Sequence, residues 1–186
     1  AGPVVRTRSI DAVVAEMATL AATRPVEQFN FHDDIFPLRR SRTLEFCEAY
    51  EASGLGIGWS CSVKAELLDE EIVAAMARAH CNKVYMGVEA GDDGIRHDLL
   101  LRRVGREAMQ DAADLLHRHG IQLFTQSMVG LPATSIEDDI ETMRFNTQLR
   151  PAFAWVSIFT PYPGTALADR AAQLGLVGES FLAQVP

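Results

Sequence analysis

Several short stretches of the chain carry side chains suited to gripping a small polar ligand. Asp33 and Asp34 follow the apolar run ending at Phe31 and His32, and adjacent carboxylates accept charge-assisted hydrogen bonds from an ammonium group. Glu89, in Gly87-Val88-Glu89-Ala90-Gly91, has the two oxygens needed to accept from a pair of ribose hydroxyls. Ser62 offers a hydroxyl, and Lys64 or Arg102 a cation for a carboxylate. The backbone of Val129, Gly130 and Leu131, stiffened by Pro132, can pair with the edge of a flat base, and Tyr162 in Pro161-Tyr162-Pro163-Gly164-Thr165 can line the substrate side. Together these groups suit a zwitterionic, partly flat ligand.

The elements that must position them alternate. Apolar periodicity predicts helices over about 10–23, 38–53, 70–80, 105–119, 136–149 and 165–175. Strands are predicted over about 28–31, 57–62, 83–88, 121–129 and 154–160. Ser9, Asp69 and Ser135 with Asp138 read as helix starts, Gly54 and Gly120 as stops. Strand starts recur at roughly 30 residues, the size of one βαβ unit, which implies parallel strands joined by crossover helices. Five strands cannot close an eight-stranded barrel, so the fold class is α/β, either an open partial barrel or a doubly wound sheet. Each candidate residue falls at or beyond the carboxyl end of a strand, where parallel α/β folds bind their ligands. The chain opens on a helix with no strand before it, as expected of a barrel truncated at its first strand.

Composition narrows the classes. Of 186 residues, 48% are hydrophobic and 23% charged, as in ordinary globular domains, and the net charge of -8 argues against a nucleic-acid partner. No apolar run approaches the roughly 20 residues of a membrane span, and the start has no secretory apolar core. Cys47, Cys61 and Cys81 form no C-x2-C or C-x3-C clip. They read as reduced, buried thiols of a cytoplasmic protein.

The motifs, taken in order, resemble one family. Val5-Arg6-x-Arg8-Ser9 with Glu16 is similar to the stretch after the cluster loop of radical S-adenosylmethionine (SAM) enzymes. Phe31-His32-Asp33-Asp34-x-Phe36 resembles their F-x-D-D-x-F, and Trp59-Ser60-Cys61 with Lys64 their W-x-C-x-x-R, here with Lys for Arg. Gly87-Val88-Glu89-Ala90-Gly91 resembles G-V-E-S-G, Gly130-Leu131-Pro132 with Glu137-Asp138 resembles G-L-P-G-E-T-x-E-D, and Pro161 to Thr165 resembles P-Y-P-G-T. The likeness runs over about residues 4–176 of a single domain spanning 1–186. It is strongest to the branch that often carries an upstream cobalamin-binding domain.

The resemblance implies a partial (β/α)6 barrel that binds SAM. It also implies a [4Fe–4S] cluster on a C-x3-C-x2-C triplet, an electron donor such as flavodoxin or ferredoxin, and a small-molecule substrate, with cobalamin a further cofactor of the branch. The chemistry would be a 5′-deoxyadenosyl radical or methyl transfer. By residue, Asp33 and Asp34 match the methionyl-ammonium positions, Glu89 a ribose or methionyl contact, and Val129 to Leu131 the adenine-side backbone. Arg102 falls near a basic family position. Two departures stand out. The cysteine triplet is absent, so the chain alone is expected to be inactive, and Ala133 and Thr134 stand where the family often has Gly and Glu. The alternatives are a divalent-metal hydrolase using His32, Asp33, Asp34 and Glu89, or a non-catalytic SAM-binding relative.

Overall fold

Helix starts follow the capping residues. The structure, a computed structural model, describes residues 6–178. Ser9 Oγ accepts the Ala12 N–H to open α1 (Ile10–Thr23). Asp69 accepts the Ile72 N–H at 2.9 Å to open α3 (Glu70–Arg78). Ser135 and Asp138 form a reciprocal capping box at the start of α5 (Ile136–Leu149). The other helices are α2 (Arg40–Ser53), α4 (Arg106–Arg118) and α6 (Ala166–Gln173). The strands are β1 (Phe29–Asn30), β2 (Trp59–Val63), β3 (Cys81–Glu89), β4 (Gln122–Val129) and β5 (Phe153–Ile158).

The five strands form one sheet in the order β1-β2-β3-β4-β5, with parallel pairing at β1–β2, β2–β3 and β4–β5. Strand order equals chain order, and a helix follows each strand. A doubly wound sheet would reverse direction at a switch point; this one does not, so the fold is that of a partial barrel.

Boundaries differ where local geometry intervenes. β1 keeps two residues, shorter than the predicted 28–31. The second helix starts at Arg40, because residues 36–38 form a 3₁₀ turn around Pro37. Gly56, at φ 61°, delays β2 to Trp59. A single π-helical turn, Ile95–Leu99, was not expected.

The described residues divide into two compact units, one comprising those up to Met86 with Asp111–Leu123, the other Gly87–Gln110 with those from Phe124 to 178. In the first unit an aromatic cluster forms the core beneath β1 and β2. The fully buried Trp59 ring lies 5.6, 5.1 and 5.3 Å from the rings of Phe31, Phe36 and Phe46. A register shift at Trp59/Ser60 puts Cys61 and Val63 beside Val84 and Met86 on one face, and Ser60 and Ser62 beside Lys83 and Tyr85 on the other.

All three cysteines are buried in this unit. Burial pushes the Cys47 thiol up to about 12, and the Cys61 thiol rises for the same reason, reinforced by its neighbour Cys81. Thiolate is the reactive form. Iodoacetamide at about pH 8 is therefore expected to leave native Cys47, Cys61 and Cys81 unmodified and to label them in denaturant; labelling of the folded protein within minutes, read by mass spectrometry, would contradict this burial.

In the second unit, Thr125 and Ser127 of β4 face α5, where Asn146 Nδ2 donates to Ser127 Oγ at 2.7 Å. Phe145 and Leu149 of α5 are buried, as are Val88, Ala90 and Met109 of the same unit. No described helix is long and apolar enough to cross a membrane.

Candidate functional site

In the first unit, Asp33 and Asp34 are exposed in the short link between β1 and the 36–38 turn. The link is pinned at both ends. The Phe31 N–H donates to the Ser60 carbonyl at 2.9 Å, and the Phe31 and Phe36 rings meet at 4.9 Å. The backbone that carries the two carboxylates therefore runs between anchored aromatics. Asp33, but not Asp34, lines a cavity of about 410 Å³ between α1, β1 and α2, whose wall includes Arg6, Arg42, Met17 and Phe46. Ser62 is half-buried on the same face of β2 as Ser60, whose hydroxyl donates to Asn30 Oδ1 at 2.6 Å. Lys64 follows in alternation on that face, exposed, at the strand's carboxyl end. His32 is exposed.

In the second unit, Glu89 ends β3 in a strained conformation. Its φ is 64°, and the Ala90 N–H donates to the Val88 carbonyl at 2.8 Å, closing a three-residue turn around it. A left-handed non-glycine residue in such a turn costs about 1–3 kcal/mol and persists only where its surroundings hold it. The Glu89 side chain is 15% exposed and pairs with Arg102 at 3.0 Å. Desolvation raises the carboxyl above its ordinary range, and the Arg102 charge offsets part of the rise. The carboxylate folds back over Gly87, where an added Cβ would lie 2.6 Å from Glu89 Oε1 and 3.2 Å from Arg102 Nη1. Gly87 is therefore the space the ion pair occupies.

The turn after β4 is partly committed. Gly130, at φ 69°, donates its N–H to the Asp139 carboxylate at 3.1 Å, and the Val129 carbonyl accepts from Phe159 at 2.9 Å. That leaves the Gly130 carbonyl and the Leu131 N–H as the groups without a backbone partner among the described residues. Tyr162 is 59% exposed, and its carbonyl accepts the Thr165 hydroxyl at 2.8 Å, which fixes the Pro-Tyr-Pro-Gly-Thr turn.

Sequence reasoning missed the residues that hold the loop after Glu89. Arg96 is fully buried, and its guanidinium donates to the Ala90 carbonyl, the Asp93 carboxylate and the Val104 carbonyl. The Arg106 guanidinium lies 4.4 Å from the Phe145 ring centroid and pairs with Glu141. The Gly91 N–H donates to Thr142 Oγ1 at 2.8 Å. The only signal for them in the sequence is the density of charge between Asp92 and Arg106, which does not distinguish Arg96 from its neighbours.

The described residues do not fit an iron–sulfur cluster. Such clusters are held by thiolates, whereas Cys47, Cys61 and Cys81 lie on α2, β2 and β3 as buried thiols, two of them with raised pKa. Among the described residues no group of three His, Cys, Asp or Glu side chains is placed to hold a metal ion, so the divalent-metal alternative finds no ligand set there.

Comparison with known proteins agrees with this architecture. An uncharacterized methyltransferase of Pyrococcus horikoshii is 26% identical over 166 residues, covering 89% of this chain and 36% of that protein. The anaerobic magnesium-protoporphyrin IX monomethyl ester cyclase of Rubrivivax gelatinosus is 28% identical over 160 residues, covering 85% of this chain and 29% of its own. The chain thus spans about a third of the length of these relatives. In fold it is similar to the radical S-adenosylmethionine methyltransferase of Kitasatospora setae, solved with tryptophan substrate and a SAM analogue. That match has a TM-score of 0.79 at 17% identity, over 90% of this chain and 33% of the other. The profile of the radical SAM superfamily matches residues 1–145, and the chain belongs to that superfamily.

Proposed function

We propose that this chain is the SAM-binding core of a radical SAM enzyme acting on a small molecule in the cytoplasm, with Glu89 receiving the ribose hydroxyls. The observation that carries the reading is the strained, half-buried Glu89 turn, its carboxylate held by Arg102 across the space left by Gly87. A desolvated acceptor of fixed direction suits a diol, because hydrogen bonds to a charged group strengthen away from water. Asp33 and Asp34 are assigned to the methionyl ammonium, and Ser62 and Lys64 to the methionyl carboxylate, with Arg102 a second cation for it. The Gly130 carbonyl and Leu131 N–H, beside Val129, are assigned to the adenine edge, and Tyr162 to the substrate side. SAM supplies the reacting carbon, as a 5′-deoxyadenosyl radical or as a methyl group, the second in company with cobalamin. A [4Fe–4S] cluster and a flavodoxin or ferredoxin electron donor belong to the same proposal, although the described residues hold no ligands for the cluster.

The test uses the full-length protein and S-adenosylhomocysteine in calorimetry. Glu89→Gln is expected to weaken binding about tenfold or more, since one charge-assisted hydrogen bond is worth ~1.5–3 kcal/mol. Wild-type affinity is expected to fall as pH drops through the raised Glu89 pKa and the carboxylate is protonated. The stability effect has the opposite sign. A carboxyl whose pKa is raised by folding contributes stability below its unfolded pKa and loses it as pH rises through the folded value. Glu89→Gln is therefore expected to hold or raise Tm near neutrality while binding weakens. Unchanged affinity would remove Glu89 from the site. Binding without any SAM cleavage by the reduced, anaerobic protein would favour the non-catalytic relative.

A further inference from the structure

We infer that Arg96 is a positioning residue that sets Arg102 against Glu89. The inference rests on the reading of Glu89 and Arg102 as ligand-binding groups and adds to it the device that aims them. A fully buried guanidinium is costly, because its charge must be satisfied away from water. Here it ties together both ends of the loop after β3. It reaches the Ala90 carbonyl at the loop's start, Asp93 one turn on, and the Val104 carbonyl near its end at 3.2 Å. The Phe145 ring centroid lies 5.6 Å from its Cζ. Asp93 is fixed in turn, accepting the Arg106 N–H at 3.0 Å.

The link to the site is the backbone of Arg96 itself. Its carbonyl accepts the Arg102 N–H at 2.8 Å. That bond spans Leu101, whose φ of 54° is left-handed and whose side chain is 78% exposed, so nothing in the Leu101 side chain's packing holds the turn. The bent backbone returns Arg102 to within 3.0 Å of Glu89. On its other arm, Arg96 holds the carbonyl of Ala90, the residue next to Glu89. Arg96 therefore constrains both, the residue after the carboxylate through its side chain and the residue that carries the counter-ion through its backbone carbonyl.

A purely structural anchor and a positioning residue differ in a double-mutant cycle. Full-length wild type, Arg96→Lys, Arg102→Ala and the double variant are compared for S-adenosylhomocysteine affinity, with Tm measured for each. Arg102→Ala is expected to weaken binding about tenfold. Arg96→Lys is expected to weaken it about fivefold while Arg102 is present, and by less than about twofold once Arg102 is alanine. Equal losses in both backgrounds would overturn the positioning role and leave Arg96 a structural anchor. No loss from Arg102→Ala would instead overturn the underlying reading of the site, and the inference with it. A second measurement needs no variant. The Arg102 amide of the wild type is expected to exchange with deuterium as slowly as the amides of α5, and rapid exchange would overturn the inference.

Discussion

Trp59→Ala is expected to cost about 3–5 kcal/mol of folding stability, in the range for truncating a large buried aromatic. The indole is fully buried, contacts the rings of Phe31, Phe36 and Phe46, and donates Nε1–H to the Ala79 carbonyl at 2.5 Å. Removing it opens a cavity that these rings cannot refill, because Phe31 and Phe36 are tethered by the β1–β2 pairing and the 36–38 turn. Trp59→Phe isolates one part of the loss. It keeps most of the ring area but leaves the Ala79 carbonyl unsatisfied, which by itself costs about 1–3 kcal/mol. Urea denaturation checks both variants, read as a fall in midpoint at unchanged slope. The cluster also brackets the link that carries Asp33 and Asp34, so a loosened Phe31–Phe36 contact is expected to loosen that link. A loss from Trp59→Ala below about 1 kcal/mol would mean that the aromatic cluster does not anchor the first unit.

The features that were legible in the sequence are those whose cause is local. Ser9, Asp69 and Ser135 cap helices because their acceptors reach N–H groups three residues away. Val84, Met86 and Val88 show their alternation because one face of β3 is buried. The link that carries Asp33 and Asp34 shows in the sequence because Phe31 and Phe36, whose rings meet across it, are near neighbours. The unread features depend on distant partners. Arg96 looks like any solvated arginine until Val104 and Phe145 are brought to it by the fold. The Gly130 N–H, which looked available to a base, is taken by Asp139 from the helix that follows. Ala133 is an intermediate case. It occupies a position where the family often has glycine, and its φ of 68° shows why glycine is favoured there.

Gly91→Val is expected to destabilise the second unit by about 3 kcal/mol or more and to abolish tight binding of S-adenosylhomocysteine. Gly91 lies flat on the first half of α5. A Cβ there would stand 2.7 Å from the Glu141 carbonyl oxygen and 2.7 Å from Thr142 Cα. Both are helix backbone, so no rotamer change relieves the clash, in contrast to Gly87, where the nearest atoms belong to the ends of the Glu89 and Arg102 side chains. Forcing the chain off α5 also breaks the buried Gly91 N–H to Thr142 Oγ1 bond, and an unpaired buried amide adds about 1–3 kcal/mol. The displaced segment starts two residues after Glu89, so the strained turn loses one of the contacts that keep it strained. Stability and binding should therefore fall together here, whereas Glu89→Gln separates them. Gly91→Ala makes the same contacts with less bulk and is expected to show the same joint loss at smaller amplitude. A Gly91→Ala protein with wild-type Tm but weakened binding would place the role of Gly91 at the ligand and not at α5.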